Sequence, residues 1–328
     1  MSGMTLRDRI FSVASESDFD FLAKDIFSLQ YHHNTLYRKF CDALGKDPGR
    51  VSSVRDIPFL PVEFFRDHDI ITGNKKEGVT FTSSGTTGMN ISRHMVTDPA
   101  IYRESFTRGF RLFFGDPSEV VILALLPSYL EREGSSLIYM VKSLISMSHY
   151  GGGFYLDDYS RLLRDLEKQR SEGRKIILLG VTYALLDLAE REKPDLSGVT
   201  VMETGGMKGH GREMVRDEVH SILCRAFNVK TIASEYGMTE LLSQGWSYGE
   251  GLFASPPWMK IVIRDLYDPL TINGAGERGG VSVIDLANIN SCSFIATSDL
   301  GVTRSDGLFE ITGRYDNSDI RGCNLLVG

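Results

Sequence analysis

Val120-Val121-Ile122-Leu123-Ala124-Leu125-Leu126 is the longest apolar run of the chain, and it predicts a strand that is buried on both faces of a sheet. Further along the chain, apolar strand patterns alternate with helical ones. Strands are predicted at 175–180 and 199–203, and helices at 136–146, 157–170, 183–191 and 212–226. This alternation predicts an α/β fold in which helices cover a largely parallel sheet.

The sequence on either side of this alternation differs in character. Before residue 80, apolar residues from Phe19 to Phe40 follow helical spacing. Closer to the buried strand, Asp98-Pro99 predicts the start of a helix at 100–114. After residue 250, short strand patterns are separated by turns such as Asn273-Gly274. They lie at 260–266, 280–286 and 294–297. This β-rich part is expected to form hairpins or a small distorted β-barrel.

Composition and charge argue against several classes of protein. The net charge of −7 makes nucleic acid an unexpected partner, because binding to phosphate backbones needs clustered Lys and Arg. No apolar run approaches the roughly 20 residues of a membrane helix, so no membrane insertion is expected. The four cysteines form no C-x-x-C pair and the N-terminus lacks a secretory signal, which predicts a cytoplasmic protein without disulfides.

A loop rich in glycine and hydroxyl side chains lies upstream of the buried strand, at Phe81-Thr82-Ser83-Ser84-Gly85-Thr86-Thr87-Gly88. Its glycines allow a close approach of the backbone, and its N–H and hydroxyl groups are suited to surround phosphate oxygens. The loop lacks the lysine of a Walker motif. It predicts phosphate binding by Ser83, Ser84, Gly85, Thr86, Thr87 and Gly88. The alternative interpretation is a polar surface turn.

This loop resembles the phosphate-binding motif of the adenylate-forming superfamily of acyl and aryl CoA ligases and luciferases. More narrowly, the chain resembles the acyl-protein synthetase (LuxE) family, which supplies acyl groups to a fatty-acid reductase. Four blocks carry the narrower resemblance: Ile57-Pro58-Phe59-Leu60-Pro61-Val62-Glu63-Phe64-Phe65, the phosphate loop with Ser92-Arg93-His94, Pro127-Ser128-Tyr129-Leu130-Glu131-Arg132, and Ile320-Arg321-Gly322-Cys323.

The resemblance implies one large domain over residues 1–328 of the N-terminal type found in adenylate-forming enzymes. It would have a helical part at 1–80, an α/β nucleotide-binding core at 81–250 and a β-rich part at 251–328. The small C-terminal domain that carries the superfamily's adenylation lysine is expected to be absent, since the chain ends at Gly328. Either Lys208, Arg93 or a partner chain would then supply the missing cation, or catalysis would be slow.

A second motif, Tyr236-Gly237-Met238-Thr239-Glu240, resembles the superfamily's aromatic-Gly-x-Thr-Glu sequence. The resemblance implies that Tyr236 packs on the adenine of ATP, that Thr239 contacts the α-phosphate and that Glu240 holds Mg²⁺. A carboxylate suits that ion, which prefers oxygen ligands. Glu240 and Thr239 are thus candidate catalytic residues. The alternative is a helix N-terminus capped by a threonine.

Further candidate residues follow from the same resemblance. Gly205, Gly206 and Met207 follow a predicted strand and are implied to line the adenine and the acyl group, although a plain glycine turn is the alternative. Asp299 is implied to accept hydrogen bonds from the ribose, with Arg314 near the ribose or phosphate. His149, Tyr150 and Gly151 are interpreted as a wall of the acyl pocket. A tight strand-to-turn connection is equally compatible with that tripeptide.

Cys323 is the candidate acyl acceptor. An acyl-adenylate carries a good leaving group, so a nearby thiolate is able to capture the acyl group as a thioester. The resemblance implies that the enzyme thiol then passes the group to an acyl-reductase partner; the alternative is an incidental buried cysteine. We predict that the protein activates a carboxylic acid, expected to be a fatty acid, in a reaction that depends on ATP and Mg²⁺. Two alternatives stay open: a shortened CoA-ligase-like enzyme, and a nucleotide-binding subunit without turnover.

Overall fold

The computed structural model describes residues 4–74, 78–83, 91–127, 134–205 and 214–315. Its helices are α1 Leu6–Ile10, α2 Glu16–His33, α3 Thr35–Ala43, α4 Phe64–Asp67, α5 Pro99–Phe114, α6 Ser136–Met147, α7 Tyr159–Ser171, α8 Thr182–Arg191 and α9 Arg216–Phe227. Its strands are β1 Leu60–Pro61, β2 Val79–Thr82, β3 Arg93–Val96, β4 Val120–Leu125, β5 Gly152–Phe154, β6 Lys175–Val181, β7 Thr200–Thr204, β8 Ala233–Tyr236, β9 Gly245–Ser247, β10 Leu252–Phe253, β11 Met259–Arg264, β12 Arg278–Asp285, β13 Phe294–Thr303 and β14 Phe309–Arg314.

The chain forms two compact units, each of which is discontinuous in sequence. Unit 1 comprises Met1–Val79, Gly85–Asp98 and Ser255–Gly328, and unit 2 comprises Thr80–Ser84 and Pro99–Ala254. The helical N-terminal part and the β-rich C-terminal part therefore belong to one unit. Strand pairing joins them, because Leu60 of β1 lies parallel to Ile295 of β13. Inside this unit, the buried Gln30 amide also donates to the carbonyl of Asn288, at 3.0 Å.

Unit 2 is built on a six-stranded sheet with the order β5-β4-β6-β7-β8-β9, in which all pairings except β8–β9 are parallel. The apolar run that opens at Val120 forms β4, and all six of its residues are buried. Helices α5 to α9 alternate with these strands. The α/β fold with parallel strands is thus confirmed, because continuous apolar strands need cover on both faces.

Unit 1 carries an antiparallel sheet with the order β14-β13-β12-β11, and the short β1 pairs with β13. In the described part of the chain the strand order is linear and β11 has no pairing with β14, so the sheet is open. The expected hairpin pairings are present as β11–β12, β12–β13 and β13–β14, and no pairing among these described residues closes them into the alternative barrel. Hairpin patterns specify the partner of each strand, whereas closure requires the first and last strands to pair.

Local capping signals set the helix bounds. Ser15 caps α2 in a reciprocal box with Asp18, whose carboxylate accepts from the Ser15 backbone at 3.1 Å. Helix α5 begins at Pro99, as Asp98-Pro99 predicted, and stops before Gly115, whose φ of 87° is a left-handed value. Within the described residues no helix is long and apolar enough to cross a membrane.

Candidate active site

The carboxyl edge of the parallel sheet in unit 2 brings two of the predicted motifs together. Strand β7 ends at Thr204, directly before Gly205, and β8 ends at Tyr236. The two strands are neighbours, and Thr204 is paired in register with Glu235. The turn at Gly205 and the turn that contains Thr239 and Glu240 therefore leave the sheet side by side. In open α/β sheets, ligands bind at this edge.

The residues around Tyr236 form an enclosed polar turn. Tyr236 is buried, and its ring meets that of Phe253 edge to face at 6.1 Å. The turn is closed by a hydrogen bond from the Leu241 N–H to the Met238 carbonyl, at 3.2 Å. Glu240, which follows Thr239, is only 5% exposed. The Glu240 side chain is therefore held at this turn with little contact with solvent.

A buried polar cluster around Glu203, at the same edge, was not predicted from the sequence. Thr182 Oγ1 donates to the Glu203 carboxylate at 3.1 Å, and Arg216 Nε lies 3.4 Å from it and His220 Nε2 3.6 Å. Burial raises the pKa of Glu203, but the hydrogen bond to His220 and the charge of Arg216 outweigh that effect and lower it. The guanidinium of Arg216 also lies over the Phe253 ring, at 5.0 Å.

Glu203 therefore links α9 and the first residue of α8 to the strand that leads into Gly205. Thr182 Oγ1 also lies 3.2 Å from the Gly205 carbonyl, so its single proton is shared between this acceptor and the Glu203 carboxylate. Arg216 connects the same cluster to Tyr236 through Phe253. The sequence did contain a signal for this cluster, because Glu203 is a carboxylate near the end of an apolar strand. A carboxylate is almost never buried without partners, so its position indicated that polar partners would surround it.

Glu235 is the second carboxylate that sequence reasoning missed. Thr204 Oγ1 donates to it at 2.5 Å, which ties the ends of β7 and β8 together. A methyl group added at Gly237 would lie 2.3 Å from the Glu235 carboxylate, so the glycine of the Tyr236-Gly237 motif leaves room for it. Burial, with a smaller contribution from the charge of Glu203, raises the pKa of Glu235 from 4.5 to about 7.

We expect Glu235→Gln to remove a pH dependence of stability. Between pH 4.5 and about 7 the unfolded chain loses the Glu235 proton while the folded chain keeps it, so the free energy of unfolding falls as the pH rises. The shift corresponds to a free energy on the order of 3 kcal/mol. Glutamine does not titrate, so the variant should match the parent at pH 4.5 and be more stable at pH 8. Urea denaturation at both pH values measures this difference. A constant difference across the range would contradict the raised pKa.

Ser83 follows an anchored strand within unit 2. The N–H of Thr82 donates to the Gly134 carbonyl at 2.8 Å. The ring of Phe81 contacts those of Tyr102 and Tyr139, each at 5.4 Å. The phosphate loop therefore starts from a fixed point. Several other residues that were predicted to take part in the site lie outside the described residues: Ser84, Gly85, Thr86, Thr87, Gly88, Gly206, Met207, Lys208 and Cys323.

Asp299 and Arg314 are brought together in unit 1. Arg314 Nε lies 3.0 Å from the Asp299 carboxylate, on the paired strands β13 and β14. The Asp299 side chain is 8% exposed and that of Arg314 is 72% exposed. Arg93, the expected substitute cation, forms an ion pair with Asp69 at 3.1 Å, and both of these side chains are about half exposed.

His149, Tyr150 and Gly151 lie at the opposite edge of the unit 2 sheet from Gly205 and Glu240. They precede β5 and so stand at the amino ends of the parallel strands, where the His149 N–H donates to Ser118 at 2.9 Å. Tyr150 Oη donates to Glu119 at 2.9 Å, and Arg174 lies over its ring at 3.8 Å. An acyl-pocket role is not supported by this position, since the tripeptide leads into a strand and does not follow one.

Comparisons with known proteins agree with this architecture. The family model described as acyl-protein synthetase, LuxE, matches residues 14–328. The chain is 26% identical over 334 residues to a long-chain-fatty-acid–luciferin-component ligase of Vibrio harveyi, which covers 93% of this chain and 86% of that protein.

Solved structures of adenylate-forming ligases share the fold. One is a 2-hydroxyisobutyryl-CoA ligase in complex with 2-HIB-AMP and CoA, with a TM-score of 0.68 at 14% identity over 93% of this chain and 77% of that chain. Another is ATP-bound MatB from Rhodopseudomonas palustris, with a TM-score of 0.55 at 17% identity over 72% of this chain. The matched region covers 47% of the MatB chain, so this protein spans about half the length of that one. Because the family model matches nearly the whole sequence, the protein belongs to the acyl-protein synthetase (LuxE) family and is an enzyme of the ligase type.

Proposed function

We propose that the protein uses ATP to activate a long-chain fatty acid and transfers the acyl group to a thiol. The carboxylate of the acid attacks the α-phosphorus of ATP, which forms the acyl-adenylate and releases pyrophosphate. The thiolate of Cys323 then attacks the acyl carbon and releases AMP, and an acyl-reductase partner receives the group. The observation that carries the proposal is the side-by-side exit of the Gly205 and Tyr236–Glu240 turns from the sheet. The name of the Vibrio relative supports the choice of acid.

Each nucleotide contact is assigned by the chemistry of its side chain. Tyr236 offers an aromatic surface to the adenine, and Thr239 offers a hydroxyl to the α-phosphate. Ser83 begins the loop whose hydroxyls and N–H groups would receive the β- and γ-phosphates. In unit 1, the Asp299 carboxylate is suited to accept hydrogen bonds from the ribose, with Arg314 beside it. Fixed dipoles and charges of this kind stabilise the charge that develops during adenylation.

The carboxylate oxygens of Glu240 are of the ligand type that Mg²⁺ prefers. In the described residues no group of three His, Cys, Asp or Glu side chains forms a complete metal site. Mg²⁺ rarely uses such a site, because it is usually held by one or two carboxylates together with substrate phosphates. Glu240 would be the carboxylate, and the ion would neutralise phosphate charge.

The other cysteines are poor candidates for the acyl acceptor. Burial raises the pKa of Cys41 to about 12 and also raises the pKa values of Cys224 and Cys292. Their thiolates are therefore scarce at neutral pH, and a thiol is a weak nucleophile. Cys323 is the remaining cysteine of the sequence. This elimination supports its assignment, together with its place in the family's C-terminal sequence block.

The test of the function is the intact mass of the protein after incubation with Mg·ATP and a series of fatty and aryl acids. We expect a gain of one acyl group that hydroxylamine removes, with release of pyrophosphate and a preference for long fatty chains. Pyrophosphate release without a mass gain, and with AMP release that depends on CoA, would indicate a CoA ligase instead. ATP binding without pyrophosphate release, with and without reductase partners, would contradict the proposal and indicate a nucleotide-binding subunit.

A further inference from the structure

Asp299 stands on a wide irregularity of the unit 1 sheet. Strands β12 and β13 pair regularly up to Gly280 with Leu300, and they resume at Ser282 with Ala296. Between these pairs, the single residue Val281 faces the three residues Thr297, Ser298 and Asp299. This segment, which we call the 297–299 bulge, gives β13 two more residues than β12 between the flanking pairs. Bulges of this kind re-aim a side chain, in this case the proposed ribose acceptor.

A buried arginine fills the space inside the 297–299 bulge. Arg264 ends β11 and is 4% exposed. Its Nη1 donates to the Val281 carbonyl at 2.6 Å, and its Nη2 donates to the Thr297 carbonyl at 2.6 Å. Those two carbonyls belong to the facing strands where the ladder is interrupted. The guanidinium therefore replaces the backbone hydrogen bonds that the bulge removes.

Further hydrogen bonds connect Arg264 to the segment that carries Arg314. Nη2 also donates to the hydroxyl of Tyr315, while the Tyr315 N–H donates to the Ser298 carbonyl at 3.0 Å. Inside the bulge, Thr297 Oγ1 accepts from the Asp299 N–H at 3.1 Å and donates to the Val281 carbonyl at 2.8 Å. Arg264 and Thr297 thus both donate to the Val281 carbonyl, and Thr297 also accepts from the backbone N–H of Asp299.

Gly280 makes room for the guanidinium. It stands directly opposite Arg264 in the register of β11 and β12. A methyl group added at this glycine would lie 2.7 Å from Arg264 Cζ and 2.9 Å from Nη2. The arginine is held by several hydrogen bonds, so it cannot move aside without loss of one of them. Arg264 and Gly280 therefore form a matched pair.

We infer that Arg264 is a positioning residue that holds the Asp299 carboxylate in the orientation required for the ribose hydroxyls of the nucleotide. The inference rests on the proposed role of Asp299. The planar guanidinium reaches two carbonyls on different strands from two nitrogens in a fixed fork, whereas a lysine offers one nitrogen on a flexible stem and does not fix the two strands in the same way. Without that bridge the 297–299 bulge loses its support, and the carboxylate loses a defined position relative to the ribose.

The experiment compares the affinities of the full-length protein for ATP and for 2′,3′-dideoxy-ATP by calorimetry. A site that hydrogen-bonds substrate hydroxyls rejects analogues that lack them, so we expect the parent protein to prefer ATP by about 100-fold or more. Arg264→Lys should lower that preference by about tenfold, through weaker ATP binding with little change for the analogue. Arg278→Met, which removes an exposed arginine of the same sheet, should leave the preference unchanged.

A second variant covers the case in which Arg264→Lys does not fold. Gly280→Ala keeps the arginine but displaces its guanidinium, and it should also lower the preference for ATP. An unchanged preference in a folded Arg264 or Gly280 variant would overturn the inference alone. Equal binding of both nucleotides by the parent protein would overturn the ribose role of Asp299 and the inference with it. Because binding is measured directly, loss of acid activation would not affect either conclusion.

Discussion

Replacement of Glu240 by glutamine is expected to lower acid-dependent pyrophosphate release by about 100-fold or more, which corresponds to about 2.7 kcal/mol. Glutamine keeps the shape of the side chain but removes its charge, and a neutral amide is a weaker ligand for a hard cation. The position is 5% exposed, so water cannot readily compensate for the weaker ligand. Initial rates of pyrophosphate release, with Mg·ATP varied at saturating acid, measure the effect.

Glu190→Gln is the matched control for this substitution. Glu190 lies on α8 of the same unit and is exposed, so the loss of its charge should leave the rate unchanged. Thermal denaturation of both variants separates a loss of function from a loss of folded protein. A folded Glu240→Gln protein that retained more than about a third of the parental rate would contradict the assignment, since removal of a transition-state contact costs far more.

Replacement of Cys323 by serine is expected to abolish the hydroxylamine-sensitive mass gain while pyrophosphate release continues. A serine hydroxyl is far less acidic than a thiol, so almost none of it is ionised at neutral pH and the acyl-adenylate is not captured. Adenylation precedes the thiol step, so its first turnover should not depend on residue 323. Intact mass and pyrophosphate release, measured in the same samples, distinguish the two steps.

Cys224→Ser provides the comparison for the thiol step. Cys224 is half-buried with a raised pKa, so its removal should leave acyl capture intact. Loss of the mass gain in Cys224→Ser, or its persistence in Cys323→Ser, would move the acceptor away from Cys323. A gain that resists hydroxylamine in the serine variant would instead indicate slow transfer to the new hydroxyl.

The alternation of strands and helices in unit 2 was predictable because it depends on local side-chain periodicity. The apolar run at β4 and the shorter run at β6 contain no polar residue that would face water, so the sequence alone predicts buried strands there. Open and closed sheets share the same hairpin patterns. The sequence therefore left hairpins and a small barrel as alternatives for unit 1, because closure depends on whether two strands distant in sequence pair.

The candidate site was predictable only where its residues lie in continuous motifs. Gly205, Tyr236 and Glu240 stand in such motifs, and strand pairing brings their turns together. His149 also stands in a suggestive tripeptide, but sequence alone does not tell whether a glycine-rich segment enters or leaves a strand. Glu203 and Glu235 were missed because their importance depends on partners that lie 13 to 31 residues away.

The amino-acid sequence by itself determined the family, the α/β class and the chemical nature of the candidate motifs, since these depend on residue order and local periodicity. The tertiary structure alone decided which edge of the sheet carries the candidate site, the raised pKa of Glu235 and the placement of Arg264 inside the 297–299 bulge. These features depend on contacts between segments far apart in the chain. Burial and hydrogen bonding act on a side chain only after those segments have packed together.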